Sequence, residues 1–152
     1  MSGYSPRPLV RKLGIGPGDA VAVLEDPGHA RTLLSGLPEG ATLEMEPAVP
    51  STAMGKGDRD VVLLFCREAA TLERRLDDGI ALIPWAGNLW ICWPKKASPL
   101  TTDLSREAVR DRVLGATGLV DTKVCAVDDD WSGLRFVHRT KNRPEGATGR
   151  GS

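Results

Sequence analysis

The sequence predicts an α/β fold of three layers, with one mostly parallel sheet of about six strands that ends in an antiparallel β-hairpin. The central observation is residues 88–96, an apolar run with two tryptophans that we interpret as a buried strand near the middle of the sheet. Short apolar runs also alternate with amphipathic segments along the chain, which requires parallel strands with helices on both faces. The last two strands follow each other directly, which predicts the hairpin.

The first half of the chain alternates strand, helix and strand. Residues 20–24 are continuously apolar, which is typical of a strand buried on both faces. Residues 29–37 have apolar side chains at helical spacing. Residues 41–45 form a weaker second strand by position and alternation. Residues 46–59 contain two prolines and two glycines, so we interpret them as a long loop whose role stays open.

The second half predicts two more helices and four more strands. The helix over 67–82 has leucine or isoleucine every four residues on one face, and a later helix begins near Asp103 or Ser105, either of which suits an N-cap. The strands are predicted at 60–66, 88–96, 121–127 and 133–138.

Length and charge indicate one small domain. Of the 152 residues, 1–12 are predicted to be a flexible lead-in, 13–139 one α/β domain, and 140–152 a disordered tail. Lys+Arg and Asp+Glu are 20 each, which argues against a dedicated nucleic-acid binder. No signal peptide and no membrane-length apolar stretch is apparent, and the three cysteines lie in apolar runs. We therefore expect a cytoplasmic protein with reduced thiols and no membrane partner.

Three segments carry a resemblance to known proteins: GPGDAVAVL at 16–24, PWAGNLWICWPK at 84–95, and the strand-turn-strand ending. Together they resemble a class I S-adenosylmethionine-dependent methyltransferase, whose Rossmann-like sheet ends in a reversed hairpin. More closely, the span 13–139 is similar to a small family of bacterial proteins with a domain of unknown function, through WPKK, the following TDL, and VDTKVCAVDxxWSGLRFV. The resemblance implies the fold and no particular activity.

The chain departs from the methyltransferase pattern in its cofactor half. The resemblance implies a glycine-rich turn after the first strand, but residues 25–29 contain only Gly28, and Pro27 removes one N–H. It also implies an acid after the second strand that holds the ribose hydroxyls, a place filled by Glu46 or Glu44. A further helix and strand do not fit before Asp60. The predicted fold is thus a truncated one, with S-adenosylmethionine as the candidate cofactor.

Ligands of open α/β sheets bind beyond the carboxyl ends of the strands. The candidate ligand-binding residues are those that follow the strands: Glu25, Asp26, Gly28, His29, Glu46, Arg67, Trp93, Lys95, Lys96, Asp128 and Trp131. No residue is assigned as catalytic or as a metal ligand, because no Ser-His-Asp arrangement, phosphate loop or metal spacing is present.

Each candidate also has a plain structural interpretation. Lys95 and Lys96 suit an anionic ligand, such as a phosphate, a carboxylate or a nucleotide, or else form a solvated loop paired with the acidic turn. Trp93 and Trp131 form an aromatic wall or simply pack in the core. His29, beside Asp26, is a proton carrier or an ordinary polar residue.

Cys66 also lies at the carboxyl end of a strand, the third predicted one. It is a reactive thiol if Arg67 lowers its pKa, and otherwise a buried inert one.

We therefore expect a small cytoplasmic Rossmann-like protein that acts as a non-catalytic binding or regulatory module for a small anionic molecule or a protein partner. One alternative is a methyltransferase with an atypical pocket that uses Glu25, Asp26 and Glu46 on its cofactor. The other is an interaction subunit that dimerises through the exposed edge of the hairpin.

Overall fold

A computed structural model describes residues 8–51 and 53–144 of the chain. Its strands are β1 (Ala20–Leu24), β2 (Thr42–Met45), β3 (Val61–Phe65), β4 (Asn88–Pro94), β5 (Leu119–Ala126) and β6 (Trp131–His138). Its helices are α1 (Leu9–Lys12), α2 (Ala30–Leu33), α3 (Ala69–Leu82) and α4 (Arg106–Ala116), followed by a 3₁₀ turn at Thr140–Asn142. Residues 1–7 of the predicted lead-in and 145–152 of the predicted tail lie outside the described residues.

All six strands form one sheet in the order β2-β1-β3-β4-β6-β5. The pairs β1–β2, β1–β3 and β3–β4 are parallel, whereas β6 is antiparallel to both β4 and β5. From β1 the chain passes to β2 on one side and then crosses to β3 on the other. The point where the order reverses lies between β1 and β3, and a ligand site is expected there. The predicted fold class, a mostly parallel sheet closed by a reversed hairpin, is confirmed.

The core lies on both faces of the sheet, because successive side chains of a strand point to opposite faces. On one face the apolar sides of α3 and α4 pack on Ala22, Leu24 and neighbouring strand residues. On the other face, α1 and α2 pack on Val21 and Val23. The molecule therefore has three layers, as the alternation of strands and helices predicts.

Strand β4 lies inside this sheet, and all seven of its residues are buried. Trp90 points to the α1 side, where its indole Nε1 donates a hydrogen bond to the Leu13 carbonyl oxygen at 3.0 Å. Trp93 points to the opposite side, with α3 and α4. The prediction of a buried strand near the middle of the sheet is confirmed, since β4 is paired on both edges.

Both ends of the described chain contact the rest of the molecule. Helix α1 lies within the predicted lead-in, and it is ordered because Val10 is buried against the core. At the other end, the Asn142 amide donates to the Gly118 carbonyl oxygen at 3.1 Å, and the Arg143 guanidinium donates to the His138 carbonyl oxygen. Asn142 and Arg143 are thus hydrogen-bonded beside the start of β5 and the end of β6.

The loop after β2 is anchored at the far edge of the sheet. Gly55 lies against Trp85, and a Cβ atom on Gly55 would stand 2.2 Å from the indole ring. Gly55 also bridges to Pro84, a few residues before β4 begins. The described part of this loop therefore attaches at the edge opposite the carboxyl ends of the parallel strands, where a ligand is expected.

Candidate functional site

Two glutamates at the carboxyl ends of β1 and β2 share one arginine of α3. Arg75 Nη1 contacts Glu25 Oε2 at 2.5 Å and Glu46 Oε1 at 3.1 Å. Glu46 Oε2 also accepts a hydrogen bond from the Glu25 backbone N–H at 2.7 Å. Both glutamates have left-handed backbone, with φ of 57° and 48°, which is strained for residues other than glycine. We call these three residues the acid–arginine cluster.

Arg75 forms ion pairs with both glutamates of the acid–arginine cluster and with a third acidic residue. The Arg75 side chain is only 12% exposed, and its Nε also contacts Asp78 at 3.0 Å. Burial by itself lowers the pKa of Arg75, but hydrogen bonds to Glu46 and Glu25 outweigh it and raise that pKa. Glu46, which the methyltransferase resemblance places against the ribose of a cofactor, is thus already paired with a cation inside the protein, as is Glu25.

The turn after β1 is held by its own side chains. Asp26 Oδ1 accepts hydrogen bonds from the backbone N–H groups of Gly28 at 2.8 Å and Ala30 at 3.0 Å. Asp26 therefore closes the turn and caps the short helix α2, and Gly28 is needed there because its φ is 116°. These two predicted ligand residues have a structural role in the turn.

A cleft of about 350 Å³ lies where the strand order reverses, and we call it the switch-point cleft. It is lined by Glu25, Pro27, His29, Phe65, Arg67, Thr71, Leu100, Asp130 and Trp131. Its floor is apolar, because the rings of Phe65 and Trp131 meet edge to face with centroids 5.2 Å apart. Four charged or titratable side chains surround this floor, so the cleft combines an apolar base with polar walls.

His29 is paired with the turn that joins β5 and β6. Its Nε2 lies 3.0 Å from Asp128 Oδ2, and Asp128 Oδ1 accepts the backbone N–H groups of Asp130 and Trp131, both at 2.8 Å. Burial by itself raises the pKa of Asp128, but the hydrogen bonds from His29 and the two N–H groups outweigh it and lower that pKa. Asp128 is therefore held as a carboxylate beside the imidazole.

A second cleft, of about 970 Å³, follows the end of β4, and we call it the lysine cleft. It is lined by Trp93, Pro94, Lys95, Lys96, Leu100, Thr101, Thr102, Leu104, Ser105, Arg106, Glu107, Val124 and Ser132. Ser105 Oγ caps α4 by accepting the Ala108 N–H at 3.1 Å, so the helix begins at this cleft. Leu100 lines both clefts and separates them.

The segment between the two clefts is fixed to the end of β3. Arg67 Nε donates to the Thr101 carbonyl oxygen at 3.0 Å, and Thr102 Oγ1 donates to the Arg67 carbonyl oxygen at 2.6 Å. Asp103 Oδ1 accepts the N–H of Ala69 at 2.8 Å and so caps α3. The sequence leaves Asp103 and Ser105 as alternative caps of one helix; each in fact caps a different helix.

The structure separates several residues that the sequence groups together. Trp93 and Trp131 lie on opposite faces of the sheet, so they do not form one aromatic wall. Lys95 and Lys96 line the lysine cleft, away from Glu46, which lines neither cleft. His29 pairs with Asp128 and not with the neighbouring Asp26.

Cys66 does not provide a reactive thiol. It is fully buried, and burial raises its pKa to about 12, with a smaller upward contribution from Glu25 opposed by Arg74 and Arg75. A thiolate is therefore strongly disfavoured near neutral pH. Of the two interpretations of Cys66 that the sequence allows, the structure supports the buried inert thiol, because desolvation dominates at this position.

Sequence reasoning missed Arg75, Thr71, Phe65, Leu100 and Arg106. Arg75 lies on the polar face of α3 among other charged residues, and no local signal distinguishes it from Arg74. In the sequence, Phe65 is indistinguishable from other core residues, and Leu100 is indistinguishable from other loop residues. Position at the carboxyl end of a strand identifies candidate residues at those ends. It does not identify the side chains that helices contribute to the same site.

The strand order, the reversed strand β6 and the clefts at the carboxyl edge define a Rossmann-like α/β protein with a methyltransferase-like fold. No family model matches the chain, and no curated protein matches its sequence. Solved structures match it by shape.

A SAM-dependent methyltransferase from Aquifex aeolicus superposes with a TM-score of 0.60 at 12% identity, over 88% of this chain and 89% of that one. DhpI, solved as a complex with SAH, gives 0.55 at 13% identity over 88% and 83%. TrmN from Thermus thermophilus gives 0.57 at 13% identity, over 86% of this chain and 47% of TrmN. The predicted methyltransferase-like fold is confirmed; at these identities the likeness concerns the fold.

Two further features of the described residues bear on membranes and metals. Across residues 8–51 and 53–144, no helix combines the length and apolar character that crossing a membrane needs. Over the same residues, no group of three or more His, Cys, Asp or Glu side chains is placed to hold a metal ion.

Proposed function

We propose that the protein binds a small anionic molecule in the lysine cleft and acts as a binding or regulatory module. The observation that carries this proposal is the state of Lys95 and Lys96. Within the described part of the chain, neither lysine side chain has an ion-pair partner, although both line a large cleft. Uncompensated cations that converge on a concave surface favour an anion.

The rest of the lysine cleft supports the same chemistry. Arg106 adds a third positive charge, and Glu107 is the one acidic residue of the lining, so three cations and one anion give a net +2. Hydroxyl groups of Thr101, Ser105 and Ser132 also line the cleft and suit the oxygen atoms of a phosphate or carboxylate. A volume of about 970 Å³ is sufficient for a nucleotide-sized ligand.

The acid–arginine cluster supports a ligand other than S-adenosylmethionine. A carboxylate that binds ribose hydroxyls must be free to accept their hydrogen bonds. In this protein Glu46 instead accepts from Arg75 and from the Glu25 backbone N–H. A cofactor would have to displace the Arg75 guanidinium, which is mostly buried, from its partners.

A second candidate function is methyl transfer from S-adenosylmethionine. The fold likeness favours it, because the neighbours with TM-scores from 0.55 to 0.60 include proteins described as a SAM-dependent methyltransferase and as an SAH complex. In this candidate, Glu25, Asp26 and Glu46 would meet the cofactor after the acid–arginine cluster opens.

Thermal-shift and calorimetric titrations separate the candidates. The wild-type protein is titrated with inorganic phosphate, common nucleotides, S-adenosylmethionine and S-adenosylhomocysteine. A ligand at 100 times its Kd adds about 2.7 kcal/mol of stability, which moves the melting temperature measurably. We expect a response to phosphate or nucleotides, and loss of that response in the Lys95→Ala/Lys96→Ala double variant with little change in its own melting temperature.

The matched control removes two other exposed lysines, Lys56 and Lys141, by alanine substitution. It changes the net charge equally and should keep the binding. Binding that survives Lys95→Ala/Lys96→Ala would contradict the proposed site. A response to the adenosyl compounds alone would favour the methyltransferase. No response to any probe would favour the interaction subunit, which has an edge strand available in β5, where Val124 is exposed.

A further inference from the structure

We propose that the switch-point cleft is a hydrolytic site for small carboxylic esters, in which His29 acts as a general base and Asp128 positions its ring. This activity goes beyond the anion binding of the lysine cleft and uses different residues. It rests on the pairing of His29 with a fixed carboxylate, on the free nitrogen of its ring, and on the place of the ring in the cleft.

The carboxylate that faces His29 is rigidly held. Asp128 uses one oxygen for two backbone N–H groups of the hairpin turn, which leaves the other oxygen for His29 Nε2 at 3.0 Å. The Asp128 side chain is 24% exposed. A carboxylate fixed by two backbone donors fixes the imidazole in turn, and an oriented imidazole is a more effective base than a freely rotating one.

The pairing also selects the tautomer of His29. An ionised carboxylate only accepts hydrogen bonds, so Nε2 must carry the proton that lies between His29 and Asp128. In the neutral ring, Nδ1 then keeps its lone pair. No hydrogen bond to Nδ1 is found among the described residues, and the His29 side chain is 42% exposed at the cleft. The ring therefore presents an available proton acceptor.

The surroundings of His29 suit an ester. The edge-to-face pair of Phe65 and Trp131, with Leu100, provides an apolar floor for an acyl or alkoxy group. Arg67 is the cation of a lining that also holds Glu25 and Asp130, and its positive charge would stabilise an oxygen that becomes negative during the reaction. The cleft lies between the ends of β1 and β3, where the strand order reverses and ligands of such sheets bind.

The chemical step needs water as its one co-reactant. His29 Nδ1 accepts a proton from a water molecule while the water oxygen forms a bond to the carbonyl carbon of the ester. The tetrahedral intermediate then breaks its bond to the alkoxy oxygen, which leaves with the bonding electron pair and takes the proton from His29. The products are a carboxylic acid and an alcohol, and His29 returns to its initial state.

The experiment measures hydrolysis of p-nitrophenyl acetate by the full chain, through release of p-nitrophenolate. The main variant is His29→Gln, whose amide N–H still donates to Asp128 but which has no basic nitrogen. Because a general base contributes about 10²–10⁴-fold, we expect the rate to fall about 100-fold while the melting temperature is kept. His138→Gln, which changes the second histidine of the chain at the far end of β6, should keep the rate.

Two further measurements distinguish a catalytic role of His29 from a purely structural contact with Asp128. Added imidazole should restore part of the rate to His29→Gly, since it replaces the missing base. Asp128→Asn should lower kcat with little change in KM, as expected for a positioning residue. The proposal is overturned if wild-type protein is no faster than an equal concentration of free imidazole, if His29→Gln keeps the wild-type rate, or if imidazole rescues nothing.

Discussion

Replacing Arg75 by alanine tests the acid–arginine cluster directly. The substitution leaves the carboxylates of Glu25 and Glu46 close together without their shared cation. Removing one partner of a fully buried ion pair costs about 3–5 kcal/mol. The Glu46 side chain is 48% exposed, so solvent screens part of this cost, and exposed pairs are worth below about 1 kcal/mol. Between these bounds we expect a loss of about 2 kcal/mol.

Urea unfolding followed by tryptophan fluorescence measures this loss. With a slope of about 2 kcal/mol per M for a protein of this size, the midpoint should fall by about 1 M. The matched control is Arg74→Ala. Arg74 also contacts Glu25, at 3.3 Å, but its side chain is 60% exposed, so its loss should stay below about 0.5 kcal/mol.

The comparison of the two arginines decides the interpretation. If Arg75→Ala and Arg74→Ala shift the midpoint equally, burial and shared pairing do not distinguish Arg75. The acid–arginine cluster would then be a set of ordinary surface ion pairs, and the argument that it excludes a ribose would fail with it.

Two further predictions concern the core and its pH dependence. Trp90→Ala should cost about 3–5 kcal/mol in the same urea assay, because the indole is fully buried and donates to Leu13; a loss below about 1 kcal/mol would contradict its place in the core. His138 is 2% exposed, and burial, with a contribution from Arg143, lowers its pKa from 6.5. The unfolded chain therefore binds the proton more readily, so the contribution of neutral His138 to stability is complete above pH 6.5 and declines as the pH falls below it. Urea unfolding at several pH values should show a smaller decline in His138→Gln, and an unchanged decline would contradict the assignment.

The sequence predicts the middle of the sheet well because its central strands, β3 and β4, are fully buried. Continuous apolar runs such as those of β3 and β4 leave little ambiguity, and their burial on both faces identifies them as interior strands. The predicted helix over 29–37 is much shorter in the structure, a single turn at Ala30–Leu33. Gly36, with φ of 81°, lies too close to α2 to let it continue.

The candidate site is predictable only in part. Position after a strand identifies His29, Lys95 and Asp128 as residues of the carboxyl edge. It does not reveal that His29 pairs with Asp128, 99 residues later, or that Arg75 reaches Glu46 across 29 residues. Such pairings depend on the order of strands in the sheet and on the side of the sheet to which each helix crosses, and a local pattern carries neither.

Leu100 has a thermodynamic consequence, because it forms a wall of both clefts. A ligand that displaced Leu100 from the lysine cleft would also change the lining of the switch-point cleft. Binding in one cleft would then be energetically coupled to binding in the other. By thermodynamic linkage, if one ligand changes the affinity for the second by some factor, the second changes the affinity for the first by the same factor. If both clefts hold ligands, this one leucine side chain would be enough to make their binding cooperative.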